Sequence, residues 1–283
     1  MQADRVTEWG GELLDLDAYL GRIGYTGERA PTLAVLRGLQ RAHVTSIPFE
    51  NGDAVLGIPV LLDVESVQDK LVRRQRGGYC YEHASLFAAV LERLGFRFTA
   101  LSGRVTLDSD KVLPATHALL AVTAADDERT WLCDVGFGSG PLGPVELADG
   151  AEAEFDGWRY RMVRRPNVSG IDDWWLRQYG PDGWVDRHTF TLLPQYPIDF
   201  VVGSHYVGTH PRSPFTKRLF TQRFSAERHD KLDGATWTVN RPDATRTERK
   251  ITRDELPKVL AEEFGIVLGA DALARLGDGF DSA

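Results

Sequence analysis

Cys80 lies in the run Arg76-Gly77-Gly78-Tyr79-Cys80-Tyr81-Glu82, at the mouth of a segment with an apolar helical face. A helix N-terminus carries partial positive charge, which favours a thiolate over a thiol, and the paired glycines let the backbone approach a ligand closely. The position is therefore that of a nucleophile, although an isolated cysteine is also a common inert core residue. His83, three residues on, is spaced to join Cys80 as a metal pair. Two ligands without further partners make no metal site, and a surface or capping histidine is the plainer reading.

A cysteine nucleophile needs a base, and the base an orienting group. His117 begins the apolar run 117–122, the polar turn 124–128 follows, and Trp131-Leu132-Cys133-Asp134-Val135 reads as the returning strand. A hairpin folded about Ala125 and Asp126 sets Asp134 directly opposite His117 with both side chains on one face. A carboxylate among Leu132, Val135 and Phe137 is costly to bury unless it holds a partner. The self-consistent arrangement is Asp134 orienting His117, and His117 deprotonating Cys80. A slipped register or a merely satisfied strand histidine is the alternative. Cys133, next to Asp134, points to the other side of the strand and reads as a packing thiol. The loop Gly136-Phe137-Gly138-Ser139-Gly140 can present backbone N–H groups to a phosphate or an oxyanion, or be a plain tight turn.

The elements that must position these residues follow from periodicity and punctuation. Apolar residues from Leu14 to Ile23 recur at helical intervals. Pro31 opens a second helical segment over 32–43, which Pro48 ends, and 64–74 and 80–94 are further helices, the last stopped by Gly95. From Phe96 the pattern changes to short β-rich runs at 96–105, 116–122, 130–135, 158–163, 174–178 and 190–193, punctuated by turn residues. These read as an antiparallel sheet or barrel. A mixed tail follows, with helices expected at 211–219, 253–263 and 270–276 and strands at 218–225 and 236–240.

Composition bounds the rest. The chain has 283 residues, 42% hydrophobic and 26% charged, which is globular and excludes a disordered or coiled-coil protein. Lys and Arg number 33 against 41 Asp and Glu, a net charge of −8, which argues against a general nucleic-acid binder while leaving room for a local anion site. Two cysteines cannot build a disulfide framework or, alone, a four-ligand zinc site. Residues 1–9 lack a basic stretch followed by an apolar core, and no apolar run is long enough to span a bilayer, so a cytoplasmic location is expected.

These motifs together resemble the arylamine N-acetyltransferases. The run 76–82, Thr116-His117, 134–138, Ile47-Pro48-Phe49-Glu50-Asn51 and the later stretch 206–215 carry the resemblance, which extends over essentially the whole chain. It implies an α+β fold of three parts: an N-terminal helical bundle over 1–95, a central antiparallel β-barrel-like domain over 96–203 and a C-terminal α/β lid over 204–283. The core is expected to resemble that of cysteine proteases.

The resemblance also implies a catalytic triad of Cys80, His117 and Asp134 and supports the hairpin register. The implied reaction is acetyl transfer from acetyl-CoA, through an acetyl-cysteine, to an arylamine, arylhydrazine or N-hydroxyarylamine, with no metal. By the same resemblance Val105, Thr116, Phe137 and Gly138 line the cofactor channel, Gly138 leaving room for the pantetheine arm, and Phe49 and Tyr79 contact the acceptor. Arg76, Glu50 and Asn51 form a buried network beside the triad, and Lys217 and Arg218 are candidates for the remaining phosphate. Gly52, Tyr79 and Tyr81 depart from the residues usual in the family. Partners are coenzyme A and a small aromatic acceptor, not nucleic acid or a membrane, with a homo-oligomer left open. Alternatives on the same scaffold are an amide synthase acting on a polyketide chain, a thiol hydrolase or transglutaminase-like enzyme, and a non-catalytic binding protein.

Overall fold

The computed structural model describes residues 9–109, 111–167 and 169–277. Residues 1–8, most of the stretch read for a leader, lie outside the described residues. Helices α1 (Leu16–Ile23), α2 (Leu33–Ser46), α3 (Gly52–Val55), α4 (Val64–Gln68) and α5 (Cys80–Arg93) occupy the first third, with the two-residue strand β1 (Phe49–Glu50) between α2 and α3. Thr32 caps α2, its hydroxyl accepting from Val35 N. The expected helix over 64–74 divides into α4 and a π-helical turn, Asp69–Arg73. Helix α5 starts at Cys80, and Leu86, Phe87 and Leu91 are sealed in the main core.

Eight strands follow: β2 (Arg97–Val105), β3 (His117–Ala124), β4 (Asp127–Cys133), β5 (Val145–Glu146), β6 (Glu152–Phe155), β7 (Trp158–Pro166), β8 (Asp172–Gly180) and β9 (Gly183–Phe190). They form one antiparallel sheet in the order β5-β4-β3-β2-β9-β8-β7-β6. Its edge strand β5 comes back against β6 and β7, so the sheet is a nearly closed barrel. The long-range pairing is at β2, which has β3 on one side and β9 on the other. Gly103 lies opposite both His117 and Phe190, and Val105 lies opposite His188. Residues directly opposed in a sheet share a face, so His117, Gly103, Val105 and His188 share one.

The β3–β4 hairpin corrects the expected register. Near the turn Ala124 faces Asp127 as expected. A bulge between Val122 and Ala124 then slips the pairing by two residues, so that Cys133 faces Leu120. A two-residue slip preserves the face, because side chains alternate with period two. Asp134, just past β4, therefore reaches His117 diagonally rather than from directly across.

Helix α6 (Pro197–Thr209) leads into a second antiparallel sheet of β10 (Phe220–Phe224), β11 (His229–Asp233), β12 (Thr236–Asn240) and β13 (Arg246–Lys250), covered by α7 (Leu256–Glu263) and α8 (Ala270–Gly277). Its first strand is β1, donated from the N-terminal region, with Phe49 opposite Gln222. Phe49 also bridges to Gly78, so the stretch 48–50 ties the loop before Cys80 to this distant sheet.

The tail is where sequence patterning and structure diverge. The helix expected at 211–219 holds only a 3-10 turn, Pro214–Thr216, and the real helix precedes it. Its β-branched, glycine-containing sequence lacks helix propensity. Pro197 at its first turn, Asp199 accepting from Tyr196 N at 2.8 Å, and burial of Phe200 against Trp9 and Tyr81 hold it. The boundary drawn at 203 falls inside this helix. The strand expected over 190–193 begins where β9 ends. No helix among the described residues is long and apolar enough to cross a membrane.

Candidate active site

Cys80 is the first residue of α5, 4% exposed, with Tyr79 extended before it as the cap. Glu82 accepts from Tyr79 N at 3.0 Å and receives Lys70 Nζ at 2.7 Å. Lys70 also pairs with Asp53 at 2.7 Å, and Arg76 donates to Glu50 at 2.7 Å and to Asp53 at 3.1 Å. A buried block of two cations and three carboxylates thus fixes the turn that carries Cys80. Burial opposes the charge on Lys70, but Glu82, Glu50 and Asp53 hold its ammonium well above the usual range.

Sequence reading anticipated Arg76 and Glu50 but missed Lys70, Asp53 and Glu82, which become partners only through the fold. Asn51, grouped with them, does something else. It donates to Phe215 O and Arg218 O and accepts from Phe220 N, stapling the stretch 215–220. Gly52 is explained by the block itself: its N–H donates to Glu50 at 2.7 Å, and a Cβ there would lie 2.8 Å from the same carboxylate oxygen.

The loop 136–140 packs directly on the nucleophile. A Cβ at Gly136 would lie 2.7 Å from the Cα of Cys80. The Cys80 Sγ is 3.5 Å from Thr116 O, and the imidazole of the next residue, His117, is buried beside it. His117 Nε2 is 2.9 Å from Asp134 Oδ1. An ionised carboxylate only accepts, so Nε2 is the donor. Burial alone would push His117 down, but the Asp134 carboxylate and the contact with Cys80 push it up to about 10. Asp134, buried too, is held well below the carboxylate range by His117 and His188. At neutral pH the pair is carboxylate and imidazolium, the charge state that suits a thiolate partner.

Sequence reading missed His188. It is fully buried, and its Nε2 is 3.0 Å from the second oxygen of Asp134. Burial holds it down, to about 4, despite that hydrogen bond. His117, Asp134 and His188 offer ligand atoms within 4.8 Å of one another, close enough for a metal ion, yet both nitrogens are already donors to the carboxylate. The arrangement is one carboxylate held between two imidazoles. His83, by contrast, is drawn into the core, with Nδ1 at 2.9 Å from His43 Nε2 and Tyr19 OH beyond at 2.9 Å from His43 Nδ1. It forms no ligand pair with Cys80. Cys133 is sealed in the core, and burial followed by the neighbouring Asp134 pushes its thiol up.

The expected channel residues divide. Phe137 packs edge-on against His117 at 5.1 Å, and Val105 shares the triad face from β2. Gly138 adopts φ +85°, which favours glycine, and the space beside it is filled: a Cβ would collide with Gln222 and lie 2.9 Å from Phe49 Cβ. Its missing side chain makes room for Gln222 and Phe49. Phe49 stands in an aromatic wall with Phe215 and Phe220 at 5.7 and 5.8 Å. Tyr79 is 1% exposed, its hydroxyl 2.7 Å from Ser204 Oγ and its ring against Phe215. Arg218 is ion-paired to Asp233, whereas Lys217 has no ion pair among the described residues.

Comparison with known proteins agrees in sequence and in fold. A family model described as N-acetyltransferase matches residues 32–273. An arylamine N-acetyltransferase of Mycolicibacterium smegmatis is 39% identical over 278 residues, 95% of this chain and 99% of the relative. The crystal structure of the Nocardia farcinica arylamine N-acetyltransferase superposes with a TM-score of 0.95 at 56% identity, covering 99% of both chains. The Mycobacterium marinum arylamine N-acetyltransferase in complex with CoA superposes with a TM-score of 0.86 at 35% identity, covering 95% of this chain and 99% of that one.

Proposed function

The chain belongs to the arylamine N-acetyltransferase family and is an enzyme of that activity, and on that premise we propose how Cys80, His117 and Asp134 carry it out. The observation that carries the reading is a lone thiol at a helix N-terminus beside a buried imidazolium that its own carboxylate holds charged. The Cys80 sulfur attacks the carbonyl carbon of acetyl-CoA, the carbon–sulfur bond to CoA breaks, and the leaving thiolate takes the proton of His117. The acetyl group now rests on Cys80. An arylamine or arylhydrazine nitrogen then attacks it, His117 accepts the amine proton, and the Cys80 thiolate leaves. The imidazolium–thiolate pair is restored and the amide released. Splitting the transfer this way gives ping-pong kinetics. N-hydroxyarylamines are acceptors through oxygen by the same steps.

Phosphate and pantetheine recognition falls to the loop 136–140, to Val105, Thr116 and Phe137, and to the exposed Lys217. The relative from M. marinum, solved with CoA, supports a CoA site in this fold. The wall of Phe49, Phe215 and Phe220 offers aromatic surface to an aromatic acceptor. Both thiols are free and buried, which suits a reducing, cytoplasmic setting. The test is intact mass after mixing with acetyl-CoA and no acceptor. One acetyl group should appear on the wild type and not on Cys80→Ala, with CoA released in equal amount. An unmodified wild type that still acetylates an arylamine when acceptor is added would overturn the covalent step.

A further inference from the structure

Strand β9 places two side chains against the triad that this scheme does not use. His188 donates Nε2–H to Asp134, while its Nδ1 is buried with no hydrogen-bond partner among the described residues. Arg187 is 2% exposed, and its guanidinium is bound to neutral groups: Ser139 O at 3.3 Å, Ser139 Oγ at 2.9 Å, Gly140 O at 3.3 Å and the amide oxygen of Gln178. Its Cζ lies 4.0 Å above the ring of Phe137, and no carboxylate is among its hydrogen-bond partners in the described residues. That ring in turn is 5.1 Å from His117 and 5.6 Å from His188. One carboxylate, two imidazoles and one permanent cation therefore share a single buried volume.

Asp134 alone cannot decide which imidazole is charged. Its two oxygens take the two rings at 2.9 and 3.0 Å, nearly alike. The asymmetry lies on the far side of each ring. His117 turns its other nitrogen toward Cys80, whereas His188 has no acceptor there among the described residues; Arg187, the extra residue where the β8–β9 pairing shifts, lies over the same Phe137 ring that flanks His188. A second imidazolium would put three cations around the one carboxylate in a low-dielectric interior, where like charges repel strongly.

We infer that Arg187 and His188 are positioning residues that assign the site's single imidazolium to His117, the ring facing the nucleophile. His188 contributes a neutral N–H that holds Asp134 without competing for the proton, and Arg187 keeps His188 neutral. The groups facing His188 are Asp134, His117 and Arg187, with Cys80 beyond His117 and Tyr160 5.7 Å beyond Arg187. Both His117 and Arg187 repel charge on His188, in keeping with its depressed pKa.

The inference rests on Cys80 and His117 as the reacting pair, so its test reads protonation directly in the resting enzyme. Histidine ring 15N spectra of the wild type should show His188 neutral with its proton on Nε2, and His117 doubly protonated, between pH 6 and 8. In Arg187→Met the titration of His188 should move up to pH 6 or beyond, by about two units or more, and iodoacetamide labelling of Cys80 at pH 6 should slow at least about twofold. The double variant Arg187→Met/His188→Gln keeps a neutral donor on Asp134 but cannot take the proton, so labelling should return toward the wild-type rate. A purely structural role for Arg187 would leave the double variant as slow as the single one. Arg187→Lys, which keeps the charge and loses the fork, should leave the His188 titration in place, and it serves if the methionine variant does not fold. An unmoved His188 titration in Arg187→Met, a double variant no faster than the single, or a wild-type His188 already charged at pH 6 would each overturn the inference. Correct ring titrations with unchanged labelling would instead count against the triad reading of Cys80.

Discussion

Replacing Asp134 by asparagine changes one atom in the core and removes the charge that the site is organised around. In the wild type, burial works against the imidazolium of His117, and the carboxylate with Cys80 still lifts its pKa from 6.5 to about 10. At 1.36 kcal/mol per unit this is a net preference of about 5 kcal/mol for the charged ring, with the burial penalty already overcome. An amide oxygen can still accept from His117 Nε2, so the ring keeps its place, but the field is gone and burial is left to dominate. His117 should then be neutral at pH 7 and no longer stabilise a thiolate on Cys80. The amide nitrogen creates a second conflict, since it would face the N–H of His188. That ring must shift its proton to Nδ1, where no acceptor stands among the described residues, at a cost of about 1–3 kcal/mol.

By comparison with triads in which the carboxylate is neutralised, turnover should fall about 10³- to 10⁴-fold. The assay is iodoacetamide labelling of Cys80 followed by intact mass across pH 5 to 9, alongside acetyl-CoA turnover and a thermal melt. Cys133, sealed in the core, provides an unreactive thiol in the same molecule. A folded variant whose labelling profile and turnover stay within about threefold of the wild type would refute the electrostatic reasoning, since 5 kcal/mol cannot vanish unnoticed.

Three further outcomes follow from the packing. Gly138→Ala forces a side chain onto φ +85° and into Gln222, so it should lower stability by about 1–3 kcal/mol, read as a fall in Tm of several degrees; an unchanged melt would show that the loop relaxes freely. Asn51→Ala removes three hydrogen bonds to the stretch 215–220 and should raise the KM for the acceptor more than it lowers kcat, with faster proteolysis in that stretch; equal loss in both constants would argue against the staple. For acid stability the signs differ between histidines. His83 and His188 are held down to about 4, so the unfolded chain binds more protons and stability is lost as pH falls from 6.5 toward 4, by about 1.4 kcal/mol per unit for each. His117, raised to about 10, contributes stability fully present below 6.5 and lost as pH rises through 10. Urea midpoints measured from pH 4.5 to 10 should peak near neutrality, and a flat profile between pH 7 and 5 would refute the buried-neutral assignment of the two rings.

What could be read from the sequence was whatever depends on neighbours in the chain. Helix α5 needs only its own apolar spacing and Gly95, so it was visible with Cys80 at its start. The β3–β4 hairpin is similarly local, and the reading placed His117 and Asp134 on one face although the bulge moved the pairing by two. Had the slip been one residue, the same argument would have put them on opposite faces. Face depends on parity, and parity survived. Helix α6 is the reverse case. Its composition is that of a strand, and it is helical because Phe200 has a pocket and Asp199 caps the turn, neither of which a local pattern contains.

The missed half of the site shows the same division more sharply. Arg187 and His188 sit in Trp184-Val185-Asp186-Arg187-His188-Thr189-Phe190, a polar run that falls between the expected strands at 174–178 and 190–193. Nothing within it signals burial. Burial arises because β2 recruits β9 on the side opposite β3, across a connection of more than seventy residues. One signal was available in principle. A buried carboxylate has two oxygens, and a hairpin partner supplies a donor for only one, so Asp134 demanded a second donor from elsewhere. Six other histidines were candidates for it, and only the topology selects His188. The distinction has a chemical consequence: the nucleophile and its base come from adjacent, locally legible elements, whereas the charge state that makes them reactive is set from the far side of the sheet.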